Sequence, residues 1–215
     1  MSLAALAARA SEHALEVFGN LAAPPEDGIG DGTLVLLGPR EPGFWDHVTT
    51  QPEFTGGEEH PLDRWSARVI AGIAADVGGT PFFPFGEPVR PFISWALRSG
   101  RAWQSPVVLL VHDTAGLMVS YRGAILLPED HQASTPGPRP CDSCADKPCL
   151  TACPPRALTA QGYDVTACHA FLDTEAGRTN LLKGCEVRQA CPVSQNYGRL
   201  NGQSAFHMRY FHPWR

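Results

Sequence analysis

The sequence has no cysteine before position 141, no long apolar run and no excess of basic side chains. Its apolar stretches are well short of the roughly 20 residues that a membrane-spanning helix needs, so we expect no membrane partner. A formal net charge of −5 excludes a strongly basic nucleic-acid-binding face, and no nucleic-acid partner is expected. No glycine-rich phosphate loop with its lysine is present. We therefore look for functional residues mainly in the cysteine-rich part of the chain.

The first residues do not have the pattern of a secretory signal. The stretch 1–9 is rich in alanine but lacks a basic region, and Glu12, His13 and Glu16 follow at once. An amphipathic helix is the better interpretation. We therefore expect a cytoplasmic protein, in which thiols stay reduced and grouped cysteines favour metal over disulfides.

Hydrophobic periodicity and turn residues predict a mixed structure of the α+β class. Helices are expected over residues 3–21, from residue 61 to the glycine pair 78–79, and over residues 92–98. Strands are expected over residues 33–37, 107–111, 117–121 and 124–127. The last three strands are expected to be neighbours in one sheet. Residues 80–91 contain too much proline for regular structure.

A polar, proline-rich segment divides the chain. The composition predicts an α/β domain over residues 1–130, a linker over 131–140 and a cysteine-rich domain over 141–215. The first part holds 16 acidic and 8 basic side chains, whereas the rest holds 6 acidic and 9 basic. All seven cysteines lie in the mildly basic part, which suits an anionic iron–sulfur cluster.

The first cysteine motif has the sequence Cys141-x2-Cys144-x4-Cys149-x3-Cys153-Pro154. Soft thiolates on one tight loop, with a proline after the last, are typical of a ferredoxin-type [4Fe–4S] cluster. Zinc sites usually use two cysteine pairs separated by a longer loop, which fits poorly. A disulfide framework needs an oxidising compartment. The motif therefore predicts at least one iron–sulfur cluster.

The second set is Cys168, Cys185 and Cys191-Pro192. In two-cluster ferredoxins the cysteine before proline ligates the other cluster. This crossing assigns cluster 1 to Cys141, Cys144, Cys149 and Cys191, and cluster 2 to Cys153, Cys168 and Cys185. Three cysteines are compatible with a [3Fe–4S] centre, with a [4Fe–4S] cluster that has another fourth ligand, or with an empty site. His169 and Glu186 are the adjacent candidates for that ligand.

Four segments of the first part resemble the cobalamin-processing CblC family, in the same order along the chain. They are Thr33–Gly38 (TLVLLG), His60–Ile73 (HPLDRWSARVIAGI), Pro106–His112 (PVVLLVH) and Tyr121–Pro128 (YRGAILLP). The resemblance implies a nitroreductase-like, CblC-like domain. Joined to ferredoxin-type cysteines, it is similar in layout to epoxyqueuosine reductases and reductive dehalogenases.

That layout implies an oxidoreductase, either a corrinoid reductase or a corrinoid-dependent reductase, that passes single electrons to a cobalamin held by the N-terminal domain. It also implies a redox partner, namely a reductase, ferredoxin or flavodoxin. The chain departs from the layout in lacking an eighth cysteine and a twin-arginine signal. Two alternatives stay open: a ferredoxin-type carrier that serves a partner enzyme without its own substrate or corrinoid, and an enzyme acting on a small epoxide or halide.

Three residues are candidates for the corrinoid or substrate pocket. Arg122 matches a pocket arginine of the resembling family, and its guanidinium suits carboxylates and phosphates. His112 ends a predicted strand beside a turn, and Tyr121 precedes Arg122. The alternatives are an ion-paired arginine, a histidine that caps the turn and a tyrosine of the core.

Overall fold

The computed structural model describes residues 2–212 as ten α-helices, eight β-strands and connecting turns. The helices are α1 (Leu3–Glu12), α2 (Phe44–Thr49), α3 (Pro52–Thr55), α4 (Pro61–Val77), α5 (Phe92–Arg98), α6 (Val165–Leu172), α7 (Arg178–Lys183), α8 (Glu186–Ala190), α9 (Pro192–Tyr197) and α10 (Asn201–Phe211). The strands are β1 (Leu15–Ala22), β2 (Thr33–Pro39), β3 (Thr80–Phe82), β4 (Ala102–Gln104), β5 (Leu110–His112), β6 (Gly123–Leu127), β7 (Leu158–Thr159) and β8 (Gly162–Tyr163).

The chain packs as two units whose boundary differs from the predicted one. Unit 1 contains the described residues up to Arg101 together with Ser120–Gly137. Unit 2 contains Ala102–Val119 and the described residues from Pro138 onward. The segment 102–119, which the sequence places in the first domain, therefore packs with the cysteine-rich part. The apolar side chains Val107, Val111 and Leu117 explain this, because they form one hydrophobic cluster with Cys149.

Unit 1 is built on a four-stranded antiparallel sheet in the order β1-β2-β6-β3. Every residue of β2 and β6 is buried. These central strands are therefore continuous apolar runs without polar alternation, and they are the strands that the sequence predicts. The β1–β2 register shifts between Val17 and Asn20, where Gly19 has a φ of +127°, which a glycine adopts without strain.

Helices α1 and α4 pack against each other. Helix α1 also packs against β1 and α4 against β6, and α5 packs against β1. Trp65 and Ile70 of α4 and Trp95 of α5 are fully buried. Large apolar side chains of this kind stabilise the fold when they are removed from water. Their helical spacing in α4 places them on one face of the helix, where they are buried.

The predicted helix over residues 3–21 is wrong beyond its third turn. Helix α1 ends at Glu12, Ala14 has a φ of +53°, and strand β1 begins at Leu15. Ala14 interrupts the helix, and its carbonyl accepts a hydrogen bond from the Arg40 N–H at 2.8 Å. The β-branched and aromatic Val17 and Phe18 then favour a strand, and Phe18 is fully buried.

Unit 2 contains two short hairpins and the five helices α6 to α10. Strand β4 pairs with β5, and β7 pairs with β8. Its buried core consists of few apolar side chains, and cysteine sulfurs complete it: Cys149 is 7% exposed, and Cys141, Cys153, Cys185 and Cys191 pack against the same cluster. A small core of this kind needs additional cross-links.

Two strand predictions in this unit are wrong. Of the run 107–111, only Leu110 and Val111 lie in a strand, the start of β5, because Val108 has a φ of +58°. Residues 117–121 form no strand, and β5 pairs with β4 in a separate hairpin instead of joining β6. Residues 107–111 are apolar because Val107 and Val111 face the core of unit 2.

The other segment predictions are confirmed, with one small difference. Strands β2 and β6 and helices α4 and α5 lie where the sequence predicts them, although residues 80–82 form a short strand within the proline-rich segment. The α+β class is confirmed. Within residues 2–212, no helix has the length and apolarity needed to cross a bilayer.

A matched pair of isoleucines tests the packing of unit 1. Ile70 is fully buried, and Ile93 is 66% exposed. Ile70→Ala should lower the free energy of unfolding by about 2–5 kcal/mol because it leaves a cavity under the sheet. Ile93→Ala should change it by less than about 0.5 kcal/mol. Urea unfolding followed by circular dichroism measures both, and equal effects would contradict the described core.

Candidate metal centre

The loop from Cys141 to Cys153 folds as successive tight turns. The Asp142 N–H donates to the Arg139 carbonyl at 3.0 Å. Lys147 has a φ of +40°, and Pro148–Leu150 form one turn of 3-10 helix in which Cys149 is buried. Short turns of this kind bring cysteines that are close in sequence to one side of the loop.

Four cysteines line one cavity of about 390 Å³. Three come from the loop, namely Cys141, Cys144 and Cys149, and the fourth is Cys191 at the start of α9. The cavity also has apolar walls from Val111 and Leu117. The structure thus brings together the four residues that the crossing pattern assigns to the first site.

Cys191 is held in place through helix α9. The Ser194 hydroxyl oxygen of this helix accepts a hydrogen bond from the buried Leu117 N–H at 2.8 Å. Gly116 allows the close approach, because a Cβ on it would lie 2.5 Å from the Ser194 nitrogen and its φ is +56°. Arg188 also donates to the Leu117 carbonyl. These contacts tie Cys191 to the segment 102–119.

The surroundings of these four cysteines favour the neutral thiol over the charged thiolate when no cation is bound. Burial raises the pKa of the Cys149 thiol above its ordinary value, and the charges of Cys141, Cys191 and Cys144 raise it further. Burial is also the main cause of the raised pKa of Cys141, and Arg139 acts in the opposite direction. A bound cation would favour the deprotonated sulfurs.

The remaining three cysteines form a second group. The pKa of Cys168 is raised mainly by burial and also by the charges of Cys185 and Cys153, whereas a hydrogen bond from Tyr163 lowers it. Cys168 lies on α6, which Asp164 caps by accepting the Ala167 N–H at 2.9 Å. Cys185 immediately precedes α8, and the Cys153 sulfur accepts a hydrogen bond from the Leu158 N–H at 3.5 Å. This group is the set that the sequence assigns to the second site.

Tyr163 belongs to this second group, and the sequence analysis missed it. Burial is the main cause of the pKa of its hydroxyl lying well above the ordinary range, and the neighbouring Cys168 raises it further. Its only sequence signal is its position five residues before Cys168, which alone does not predict a contact.

His169 has other partners on one side of its ring. Its Nδ1 lies 2.6 Å from Nδ1 of His212, whose Nε2 lies 2.9 Å from the Asp173 carboxylate. The His169 ring also packs on Phe211, with centroids 4.7 Å apart. Glu186 is the first residue of α8 and is partly buried.

The donor atoms of the first site are thiols, and these are the ligands that iron–sulfur clusters require. Within residues 2–212, no three side chains of His, Cys, Asp or Glu converge closely enough to hold one ion. The four thiols instead surround a cavity, and thiolate is the soft ligand that iron–sulfur clusters require. The residues present therefore fit a cluster at the first site, and the second group supplies three ligands of the same kind.

His112 is a buried residue of unit 2 that caps a turn. Its side chain is fully buried, and its Nδ1 accepts hydrogen bonds from the Thr114 and Ala115 N–H groups at 3.2 and 3.3 Å. Asp113 lies 3.1 Å from the same nitrogen. This environment corresponds to the turn-capping alternative.

Tyr121 and Arg122 belong to unit 1 and have partners there. Tyr121 is 8% exposed and makes an edge contact with Phe18. Arg122 is 9% exposed; its Nη1 lies 3.4 Å from Asp63, and its Nε donates to the Tyr121 carbonyl at 3.1 Å. Burial lowers the pKa of the Arg122 guanidinium, and Asp63 opposes this shift. Both side chains are thus explained by packing and by one ion pair.

Comparisons with protein-family models, with curated proteins and with solved structures find no match for this chain. Its own geometry is therefore the basis for a functional proposal.

Ser194→Ala tests the anchoring of Cys191. The substitution leaves the buried Leu117 N–H without its acceptor, so we expect the free energy of unfolding to fall by about 1–3 kcal/mol. Ser143→Ala is the control, because this serine is exposed and should have little effect. Denaturant unfolding of both variants provides the measurement. A Ser194→Ala protein as stable as the control would show that the contact is unimportant.

Proposed function

We propose that this chain is an iron–sulfur protein that carries single electrons through two cluster sites in unit 2. The observation that supports this most is the grouping of the seven thiols. Cys191 joins the cavity of Cys141, Cys144 and Cys149, although it is six residues from Cys185 and more than forty from Cys149. Structural cysteines have no reason to follow the ligand crossing of two-cluster ferredoxins.

The residues around the first site would hold and shield the cofactor. The four thiolates would bind a [4Fe–4S] cluster, Val111 and Leu117 would exclude water, and Arg139 would offset part of the negative charge. When bound, clusters of this kind take up and release one electron at a time. The second site would hold a [4Fe–4S] or [3Fe–4S] cluster on Cys153, Cys168 and Cys185.

The cytoplasm is part of the proposal. All seven cysteines have free thiols, and a reducing compartment keeps thiols available to metal.

Single cysteine variants test the grouping. Anaerobically reconstituted Cys144→Ser and Cys191→Ser should each lose the first cluster, whereas Cys185→Ser should lose the second, because each substitution removes one thiolate from one group. Iron and sulfide analysis with electron paramagnetic resonance (EPR) counts the clusters that are left. The comparison of Cys191→Ser with Cys185→Ser is the sharpest, since the two residues are neighbours in sequence.

Wild-type protein that takes up zinc but no iron and sulfide would refute the proposal. A Cys191→Ser protein that resembles Cys185→Ser would refute the crossed grouping while leaving iron–sulfur binding intact.

We further propose that the electron acceptor is a corrinoid held by unit 1, which would make the protein a corrinoid reductase or a corrinoid-dependent reductase. The support is the ordered set of segments that resemble the CblC family, including strands β2 and β6 and the start of α4. Arg122 is paired with Asp63, and the Tyr121 ring contacts Phe18. Other groups of unit 1 would therefore have to hold the corrinoid macrocycle.

These internal contacts favour a second candidate function, a ferredoxin-type electron carrier that serves a partner enzyme. The three residues considered for a pocket all have partners inside the protein, and His112 belongs to the other unit. A carrier needs only its clusters and a redox partner such as a reductase, ferredoxin or flavodoxin.

Titration with hydroxocobalamin separates the two candidates. Protein with full iron and sulfide content should change the visible spectrum of the corrinoid on binding and reduce it after one-electron reduction of the protein. A Cys144→Ser/Cys185→Ser protein should bind the corrinoid without reducing it, because it lacks complete ligand sets. If the cluster-loaded protein leaves the corrinoid spectrum unchanged, the acceptor is a partner and not a corrinoid.

A further inference from the structure

One cavity of unit 1 has mostly apolar walls. It has a volume of about 820 Å³, and its lining includes Pro84 of the proline-rich segment and Ile93 and Leu97 of helix α5. Ile93 and Leu97 are 66% and 45% exposed. Together with Val89, they are the large apolar side chains that stay exposed among the described residues of unit 1. Exposed apolar side chains gathered in one place are typical of a binding surface.

Arg90 lies in the wall of this cavity and is held there by an aromatic ring. Its guanidinium carbon is 5.1 Å from the centroid of the Phe82 ring. Phe82 belongs to β3 and makes an edge contact with the fully buried Trp95, with centroids 6.2 Å apart. The Arg90 carbonyl accepts a hydrogen bond from the Phe92 N–H at 2.9 Å. A cation is attracted to the face of an aromatic ring, so the charge of Arg90 is positioned before any ligand binds.

Arg90 differs from the other arginines of unit 1 in having no acceptor for its N–H groups. Among the residues that the structure describes, no carboxylate or other oxygen accepts from its guanidinium. This is notable because residues 1–130 hold 16 acidic and 8 basic side chains. The guanidinium carries five N–H donors, which are therefore available to an anion from outside the chain. The arginines that do have an oxygen partner are Arg9, Arg40, Arg64, Arg68, Arg98, Arg101 and Arg122.

The charges at the cavity favour a ligand with one negative charge. Arg98 also lines the cavity, but Glu26 pairs with it at 2.5 Å. One unpaired guanidinium remains, and it matches a carboxylate, whose two oxygens can each accept an N–H of the guanidinium. A phosphate monoester carries about −1.5 to −2 charges at pH 7, and a single arginine would neutralise it only in part.

We propose that this cavity binds a small carboxylic acid with an apolar body. Its carboxylate would pair with Arg90, and its body would lie against Ile93 and Leu97. Binding would remove from water the apolar side chains that unit 1 leaves exposed, and it would give the N–H groups of Arg90 an acceptor. The proposal does not depend on the iron–sulfur sites, because all of these residues belong to unit 1.

Titration calorimetry of the full chain with sodium octanoate tests the proposal. Octanol and acetate are the comparison probes, because each lacks one half of the ligand. Octanoate should bind in a 1:1 ratio and more tightly than octanol, since only octanoate can pair with Arg90. Acetate should not bind at the same concentrations, because it has no apolar body. A wild-type protein that binds octanol as tightly as octanoate, or that binds neither, would overturn the proposal.

Arg90→Gln should lower the association constant for octanoate by about tenfold or more, because it removes the charged donor. It should leave the constant for octanol unchanged, since the apolar wall is kept. Arg40→Gln is the matched control: it makes the same change of charge at an exposed arginine of unit 1 that pairs with Ser11 and does not line the cavity. Equal losses of octanoate affinity in the two variants would overturn the proposal.

Leu97→Ser tests the apolar wall and should weaken octanoate and octanol alike. Circular dichroism shows whether each variant is folded; if Arg90→Gln is not, the comparison of octanoate with octanol on the wild-type protein decides. Two other occupants are separate outcomes. Binding to phosphatidylglycerol vesicles without binding of octanoate would overturn the proposal in favour of a lipid surface. A dimer in analytical ultracentrifugation that Leu97→Ser dissociates, again without octanoate binding, would assign the cavity to a second copy of the chain.

Discussion

The packing of cysteine sulfurs into a small apolar core is the constraint on which unit 2 depends. Cys149 is a buried member of the cluster formed by Val107, Val111, Leu117, Leu158 and Val187, and four further cysteines pack against it. Buried thiols are tolerated as neutral groups, but thiolates at this density repel one another. The cationic centre of the proposed function would remove that repulsion and cross-link the chain, and metal binding would then be coupled to the folding of this unit.

The crossed assignment of the cysteines extends this coupling to the whole unit. Cys153 follows the first loop in sequence but lies with the second group, and Cys191 follows the second group but lies with the first. Neither group can therefore form from one continuous segment. The contact between Ser194 and Leu117 adds the segment 102–119 to the same arrangement, because it holds the helix that follows Cys191.

The parts of the fold that sequence predicts are those in which one local pattern decides the outcome. Strands β2 and β6 are buried on both faces, and their continuous apolar runs indicate this directly. Helix α4 has its apolar side chains at helical spacing. The cysteine grouping was also predictable, because ligand crossing is encoded in the two Cys-Pro pairs.

The missed features depend on backbone conformations or distant contacts. Ala14 adopts a left-handed conformation that ends α1, and no propensity for alanine indicates it. The run 107–111 has the composition of a strand, yet it packs as a turn against the core of unit 2 because Val108 also has a positive φ. The position of Tyr163 near Cys168 depends on a short hairpin, and its ring stacks on Phe211, which lies almost fifty residues further along the chain.

Arg122 shows why the two halves of the chain support function to different degrees. An arginine that binds a ligand and an arginine that is paired with a carboxylate of the same protein have the same sequence signal, and only the partner distinguishes them. Here the partner is Asp63, and burial of the guanidinium makes that carboxylate necessary, since an unpaired charge in this position would be costly. For the cysteines such compensation is incomplete, because Arg139 lowers the pKa of Cys141 but burial outweighs it. Protonation keeps these buried thiols neutral, and a cation would be needed to hold several of them as thiolates, whereas in unit 1 the charge of Arg122 is already paired with Asp63.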